Sequence, residues 1–149
     1  MRWFTALGSG GAVVPATALV CLVLVPRHPS LAAAMAGAGA AGLLVVNLAK
    51  VLMIRQRPNM VLWSYPSAHT FGIAVFAALL LYVLWACGAP ARWRQVAWVS
   101  GAAATLAVGI SRVYLNAHWI GDVVGGLVGG LAFALAAVLA VDRRLAVAG

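Results

Sequence analysis

The residues of this chain that could do chemistry are concentrated between Ser111 and Asp122, a stretch of twelve residues. It contains Arg112, His118 and Asp122, and Asp122 is one of only two acidic residues in the sequence. Ionisable groups are costly to hold beside lipid, and the flanking segments are strongly apolar. If the stretch is helical, His118 and Asp122 share one face. The carboxylate would then fix one imidazole tautomer and leave the other ring nitrogen free to attack an electrophile.

Two further polar clusters occur earlier in the chain. The first contains Lys50 and Arg57, and the second is the segment 66–69, which ends in His69. Arginine binds phosphate oxygens bidentately and lysine adds a point charge. A segment that opens a helix adds free backbone N–H groups and the positive helix end, which together form an anion site. These residues predict binding of a phosphate monoester or diphosphate, with His69 able to protonate the departing oxygen.

The composition indicates an integral membrane protein with a single domain over residues 1–149. Of the 149 residues, 65% are hydrophobic and 8% charged, and the mean hydropathy is +1.05. A soluble domain carries about 25% charged residues. The net charge of +8 could suggest nucleic acid, but the basic residues lie in short loops and form neither a basic helix nor an aromatic ladder. We therefore expect the bilayer as a partner, and no nucleic acid or protein-built metal site.

Five apolar runs predict an all-α, polytopic transmembrane bundle. The runs cover residues 4–25, 31–49, 71–86, 96–110 and 123–141. Each has roughly the length needed for a hydrocarbon core of about 30 Å. The first run is the least regular, because it contains Pro15 and a glycine cluster, so its helix is expected to begin near Gly11. A signal peptide is the alternative for this run, with cleavage sites in the alanine-rich stretch after Leu31.

Alternation of the spans predicts that the polar clusters meet on one face of the membrane. Lys50 ends the second span and His69 begins the third. Arg112 ends the fourth span and His118 precedes the fifth. Residues far apart in the sequence should therefore form one site at one end of the bundle, while the opposite face holds only short basic turns.

The three clusters together resemble the signature of the type 2 phosphatidic acid phosphatase (PAP2) superfamily of membrane lipid phosphatases. Its parts are K-x6-RP, PSGH and SR-x5-H-x3-D. They correspond here to Lys50 with Arg57-Pro58, to Pro66-Ser67-Ala68-His69, and to Ser111-Arg112 with His118 and Asp122. All three occur in order and with the family's spacing, over residues 50–122, about half of the chain. Soluble vanadium haloperoxidases share this signature, but the five spans favour the membrane branch.

The resemblance implies a role for each signature residue. His118 is implied as the nucleophile that forms a phosphohistidine, His69 as the general acid, and Asp122 as the partner of His118. The implied phosphate ligands are Lys50, Arg57, Ser67, Ala68 and Arg112. No metal or other cofactor is implied. Ala68 replaces the glycine of the family motif, and its N–H keeps its contact with phosphate if φ is negative, as it is at a helix start.

The implied substrate is polyprenyl diphosphate, phosphatidic acid or a related lipid phosphate. Two alternatives stay open on the sequence. One is a non-catalytic membrane protein that binds anionic headgroups, and the other is a phosphotransferase in which an alcohol intercepts the phosphohistidine. The glycines of the second and fifth spans suit a homo-oligomer as well as the bundle itself.

The basic residues predict the orientation in the cell membrane. The face with the motifs carries Arg2, Lys50, Arg55, Arg57 and Arg112. The far face carries Arg27, Arg92, Arg94, Arg143 and Arg144. If three of the first group serve chemistry, the remaining charges place the far face in the cytoplasm and the site on the extracytoplasmic side.

Overall fold

The computed structural model describes residues 1–59 and 63–148, with side chains as far as Arg143. Within this part of the chain, six helices and no strands occur. They are α1 (Arg2–Leu7), α2 (Gly10–Leu24), α3 (Pro29–Leu52), α4 (Ala68–Ala86), α5 (Ala91–Tyr114) and α6 (Ile120–Ala148). The all-α prediction is confirmed. Arg144, assigned above to the far face, has its side chain outside the described residues.

Four helices of the described chain are long and apolar enough to cross a membrane: α3, α4, α5 and the part of α6 from Ile120 to Arg143. The helix α2 is also apolar, but it has only 15 residues. At 1.5 Å per residue it extends about 22 Å, less than a hydrocarbon core of about 30 Å. The prediction of about five spans is therefore confirmed in outline, as four full-length helices and one shorter helix.

The structure corrects the boundaries of the first predicted span. The run 4–25 is not one helix, because it is divided between α1 and α2. A β-carbon at Gly8 would lie 2.8 Å from the carbonyl oxygen of His69 and 2.7 Å from a methyl group of Val108. The chain thus approaches α4 and α5 at a point that only glycine fits. The helix α2 then begins at Gly10, one residue before the expected start.

A buried apolar cluster joins α2, α3 and α4. It contains Leu24, Leu31, Ala32, Met35, Val46, Phe71, Val75, Leu79 and Val83. Many other large apolar side chains, among them Leu44 and Leu135, are exposed on the outside of the bundle. Lipid would cover them there, and lipid gives helices no hydrophobic reason to associate. The close contacts between helices must therefore come from packing of small residues and from polar groups.

The helix α6 lies closely against α4 along a glycine face. A β-carbon at Gly126 would be 2.6 Å from the carbonyl oxygen of Ser67, and one at Gly130 would be 2.9 Å from that of Phe71. The rings of Phe71 and Phe133 are 5.9 Å apart between centroids. This packing brings the start of α6 beside the start of α4. These glycines of α6 thus pack against α4 of the same chain, and a homo-oligomer stays a prediction.

Gly126→Ala tests this packing. The added methyl group would meet a backbone carbonyl that cannot move aside, so we expect the unfolding free energy to fall by about 1–3 kcal/mol. Thermal unfolding in detergent measures this as a lower Tm. The control is Gly37→Ala, since nothing lies within 4 Å of a β-carbon there and alanine favours the helix. Equal Tm values for the two variants would contradict the close approach of α4 and α6.

Candidate active site

The polar segments meet at one end of the bundle. Lys50, near the end of α3, donates a hydrogen bond of 3.0 Å from Nζ to the carbonyl of Trp63. The N–H of Ser67, immediately before α4, donates a bond of 2.9 Å to the carbonyl of Asp122 in the first turn of α6. Arg112 lies in the last turn of α5. The ends of four helices thus form one cluster, as the alternation of the spans predicts.

His118 and Asp122 are buried in this cluster. His118 is 2% exposed and Asp122 is 0% exposed. Nδ1 of His118 lies 3.4 Å from Oδ2 of Asp122. The same carboxylate oxygen accepts a hydrogen bond of 2.9 Å from the N–H of Trp119. Because Nδ1 faces the carboxylate, Nε2 is the ring nitrogen that remains for chemistry.

Two side chains that the sequence analysis left out of the site also contact Asp122. The hydroxyl of Ser64 donates to Oδ2 and lies 3.4 Å from Nδ1 of His118. Nη1 of Arg55 lies 3.1 Å from Oδ1, so Arg55 is more than a topology charge. Both residues belong to the loop between α3 and α4. Arg55 occupies a variable position inside the first motif and Ser64 lies between the first two motifs, and neither residue type was distinctive there.

Burial and positive charge both act on His118. Desolvation is the largest cause, and it lowers the pKa of His118 below its ordinary value of 6.5. Three nearby cations lower it further, namely Arg112, Arg57 and Lys50. Asp122 acts in the opposite direction but is outweighed, since it is one charge against burial and three cations. His118 is therefore a neutral imidazole near pH 7, which is the nucleophilic form.

Two arginines of the site have hydrogen-bond donors without acceptors. The Nε atoms of Arg57 and Arg112 are buried and have no hydrogen-bond partner among the described residues. Nη1 of Arg112 donates a bond of 2.9 Å to the hydroxyl of Thr5 in α1, a contact that the sequence analysis did not foresee. Buried donors that lack a partner are costly. An anion with several acceptor oxygens, such as a phosphate, would satisfy both.

The start of α4 presents backbone N–H groups at the same end of the bundle. Ser67 is the N-cap, and its fully buried hydroxyl oxygen accepts bonds from the hydroxyl and N–H of Thr70 at 3.1 and 3.5 Å. The N–H groups of Ala68 and His69, the first two helical residues, have no partner in the described chain. Ala68 is not among the non-glycine residues with positive φ. The condition set above for the N–H of Ala68 is therefore met, and phosphate binding by Ser67 and Ala68 stays a prediction.

A cavity of about 630 Å³ lies beside His69, between α2, α3 and α4. Nearly all of its lining side chains are apolar, and along α4 they run from Ala68 to Leu79. At 1.5 Å per residue this is about 16 Å of helix. The three cations that act on His118 also act electrostatically on His69. His69 thus lies between the charged cluster and an apolar cavity that extends along the helices.

The family is established by comparison with known proteins. The family model described as the PAP2 superfamily matches residues 30–146. This range is well over half of the chain and contains all three polar clusters. The chain belongs to the PAP2 superfamily. The resemblance carried by the three motifs is thereby confirmed.

A solved structure has the same fold as this PAP2 protein. It is the crystal structure of the first transmembrane PAP2 type phosphatidylglycerolphosphate phosphatase from Bacillus subtilis. The TM-score is 0.85 at 23% sequence identity, over 96% of this chain and 75% of the other. At this identity the likeness establishes the transmembrane fold. No curated protein sequence matches the chain significantly.

The lowered pKa of His118 in this PAP2 protein has a direct spectroscopic consequence. Nitrogen-15 NMR of histidine-labelled protein in detergent should show a neutral His118 ring at pH 6.5. Because the shift is downward, the ring should gain its second proton only as the pH falls well below 6.5. His118→Asn assigns the signals by removing one set. A titration midpoint at or above 6.5 would contradict the burial and charge described here.

Proposed function

We propose that this protein hydrolyses a lipid phosphate or diphosphate at the membrane surface, without a metal ion and through a phosphohistidine on His118. One observation carries the proposal: the unpartnered, buried Nε donors of Arg57 and Arg112 belong to the same cluster as a buried histidine with a lowered pKa. Membership of the PAP2 superfamily supports phosphatase chemistry. The similar fold of a phosphatidylglycerolphosphate phosphatase supports a lipid substrate.

The proposed phosphate site uses fixed charges and backbone groups. Arg57 and Arg112 donate to phosphate oxygens, and Lys50 adds a third positive charge. The free N–H groups of Ala68 and His69 donate from the start of α4, where the helix end is positive. Ser67, the cap before them, fixes that helix start. Such donors also stabilise the charge that develops on a transferring phosphoryl group.

The proposed reaction has two steps. In the first, Nε2 of His118 attacks phosphorus and the bond to the leaving oxygen breaks. His69, protonated once the bound phosphate compensates the three cations beside it, gives that oxygen its proton. Asp122 offsets the positive charge of the phosphorylated ring through Nδ1–H. In the second step, water attacks phosphorus while His69 accepts its proton. Inorganic phosphate leaves, and His118 returns to its neutral form.

The apolar cavity supports a lipid rather than a water-soluble substrate. It begins at His69, where the leaving group would lie, and continues between α2, α3 and α4 for about half the thickness of a bilayer core. A phosphate bound by the cations would place its lipid chain in this cavity. The chain would then stay in an apolar environment throughout the reaction.

His118→Asn tests the mechanism. We expect release of inorganic phosphate from phosphatidic acid and farnesyl diphosphate in detergent micelles to fall by at least about 10³-fold, because the nucleophile is removed. The matched control is His28→Ala, since His28 is exposed at the opposite end of the bundle. EDTA should leave the wild-type rate unchanged.

Several results would contradict the mechanism or select an alternative. An active His118→Asn variant rules out the phosphohistidine, and loss of activity in EDTA points to a required metal. A folded wild-type protein that binds anionic lipid but releases no phosphate would be a headgroup-binding protein. Transfer of the phosphoryl group to an added alcohol, in preference to water, would identify a phosphotransferase.

Ala40→Phe tests the lipid chain in the cavity. Ala40 lines the cavity and Ala41 does not, so Ala41→Phe is the matched control. We expect Ala40→Phe to lower kcat/KM for the two lipids by about 10–200-fold, the effect of a few lost apolar contacts. Hydrolysis of a short water-soluble phosphate ester should not change. Equal losses of kcat/KM on lipid and soluble substrates would show that the lipid chain does not bind in this cavity.

We also propose that the site faces the extracytoplasmic side of the cell membrane. Because Arg55 contacts Asp122, it joins the cations that serve the site. Arg2 is then the only remaining topology charge among the basic residues assigned to the motif face, against five arginines on the far face. The phosphate-release assay on sealed right-side-out vesicles measures this directly, since an inward-facing site would release no phosphate outside.

A further inference from the structure

We propose that Ser64 is a positioning residue of the active site, whose hydroxyl holds the Nδ1–H tautomer of His118 together with Asp122. The inference rests on the proposed function, because it concerns the orientation of the nucleophile. It goes beyond the three motifs, since Ser64 belongs to none of them. Three observations carry it: the burial of Ser64, its contacts with His118 and Asp122, and the number of protons that these three side chains can donate.

Ser64 is fully buried and held by its own backbone. It is 0% exposed, and its N–H donates a hydrogen bond of 2.8 Å to the carbonyl of Arg55. Its hydroxyl donates to Oδ2 of Asp122 and lies 3.4 Å from Nδ1 of His118. The side chain therefore lies behind the imidazole, on the side away from Nε2. It lies beside the proposed nucleophile, at the ring nitrogen opposite to the one proposed to attack phosphorus.

The available protons determine the direction of each contact. A serine hydroxyl has one proton and two lone pairs, and a carboxylate only accepts. The single proton of Ser64 is used on Asp122, so Ser64 can only accept from His118. Both neighbours of Nδ1 are then acceptors, which requires that Nδ1 carries the ring proton. Nε2 is left with its lone pair, as attack on phosphorus requires.

The two acceptors are placed symmetrically. Nδ1 of His118 is 3.4 Å from Oγ of Ser64 and 3.4 Å from Oδ2 of Asp122. Both distances are longer than a strong N–H···O hydrogen bond. When Nε2 bonds to phosphorus, the ring becomes positive and hydrogen bonds from Nδ1–H strengthen. Asp122 is also shared with Arg55, 3.1 Å from Oδ1, so Ser64 supplies an acceptor that the cation does not compete for.

Ser64→Ala is the test. We expect kcat on phosphatidic acid and farnesyl diphosphate to fall by about 10–100-fold, the usual cost of losing a hydrogen bond that orients a functional histidine. KM should change by less than about threefold, because no phosphate contact is removed. The matched control is Thr105→Val, since the hydroxyl of this buried residue donates to the carbonyl of Gly101 in its own helix. It should retain wild-type kcat.

Two further measurements separate positioning from general structural support. Nitrogen-15 NMR should show the Nδ1–H tautomer of His118 in the wild type and a larger Nε2–H fraction in Ser64→Ala. In an Asp122→Asn background, Ser64→Ala should cost less than about threefold, because the two residues act on one ring. Should Ser64→Ala fail to fold, Ser64→Cys takes its place, since a thiol is a poor donor.

The outcomes distinguish this proposal from the proposed function. Three results would overturn the role of Ser64. They are a wild-type kcat in Ser64→Ala, an unchanged tautomer of His118, and a fold-loss of kcat in the double variant that equals the product of the losses in Ser64→Ala and Asp122→Asn. The proposed function would still stand after any of these results if His118→Asn is inactive in the same assay. An active His118→Asn variant overturns the proposed function instead.

Discussion

A carboxylate buried at the start of an apolar helix must be paired, and the pairing of Asp122 organises the end of the bundle that holds the site. Its side chain accepts hydrogen bonds from the N–H of Trp119 and the hydroxyl of Ser64, and it forms an ion pair with the guanidinium of Arg55. Its backbone carbonyl accepts from Ser67. These partners come from the loop before α4 and from the turn before α6. Satisfying one buried charge therefore fixes two separate segments of the chain relative to each other.

Both acidic residues of the sequence are on α6, and both connect it to α4 or the loop before α4. Asp122 does so at the site, and Asp142 accepts a hydrogen bond from the hydroxyl of Tyr82 near the other end. Between these points the glycines of α6 lie against the backbone of α4. The pair α4–α6 is thus closely packed over its length. The apolar cavity lies on the other side of α4, against α2 and α3, so the helix that carries His69 has a firm support on one side and space on the other.

The sequence could predict the convergence of the site because a membrane-spanning helix has only two ends. Lys50, His69 and Arg112 flank successive spans, and alternation alone puts them on one face. The contacts of Ser64 and Arg55 with Asp122 could not be predicted, since a loop has no periodicity to indicate which side chains point inward. The contact of Thr5 with Arg112 depends on the break at Gly8, which composition shows only as an irregular apolar run.

The excess of positive charge at the site affects His118 differently before and after an anion binds. Lys50, Arg57 and Arg112 face a single carboxylate, Asp122, which Arg55 already shares. In the empty site this excess of positive charge, together with burial, keeps His118 neutral. In the proposed reaction, a bound phosphate would bring the negative charge that the site lacks. The cations that disfavour an imidazolium would then be compensated, so the ring could become positive as Nε2 bonds to phosphorus. In this proposal the same charges keep His118 unprotonated before the substrate arrives and allow the ring to become positively charged afterwards.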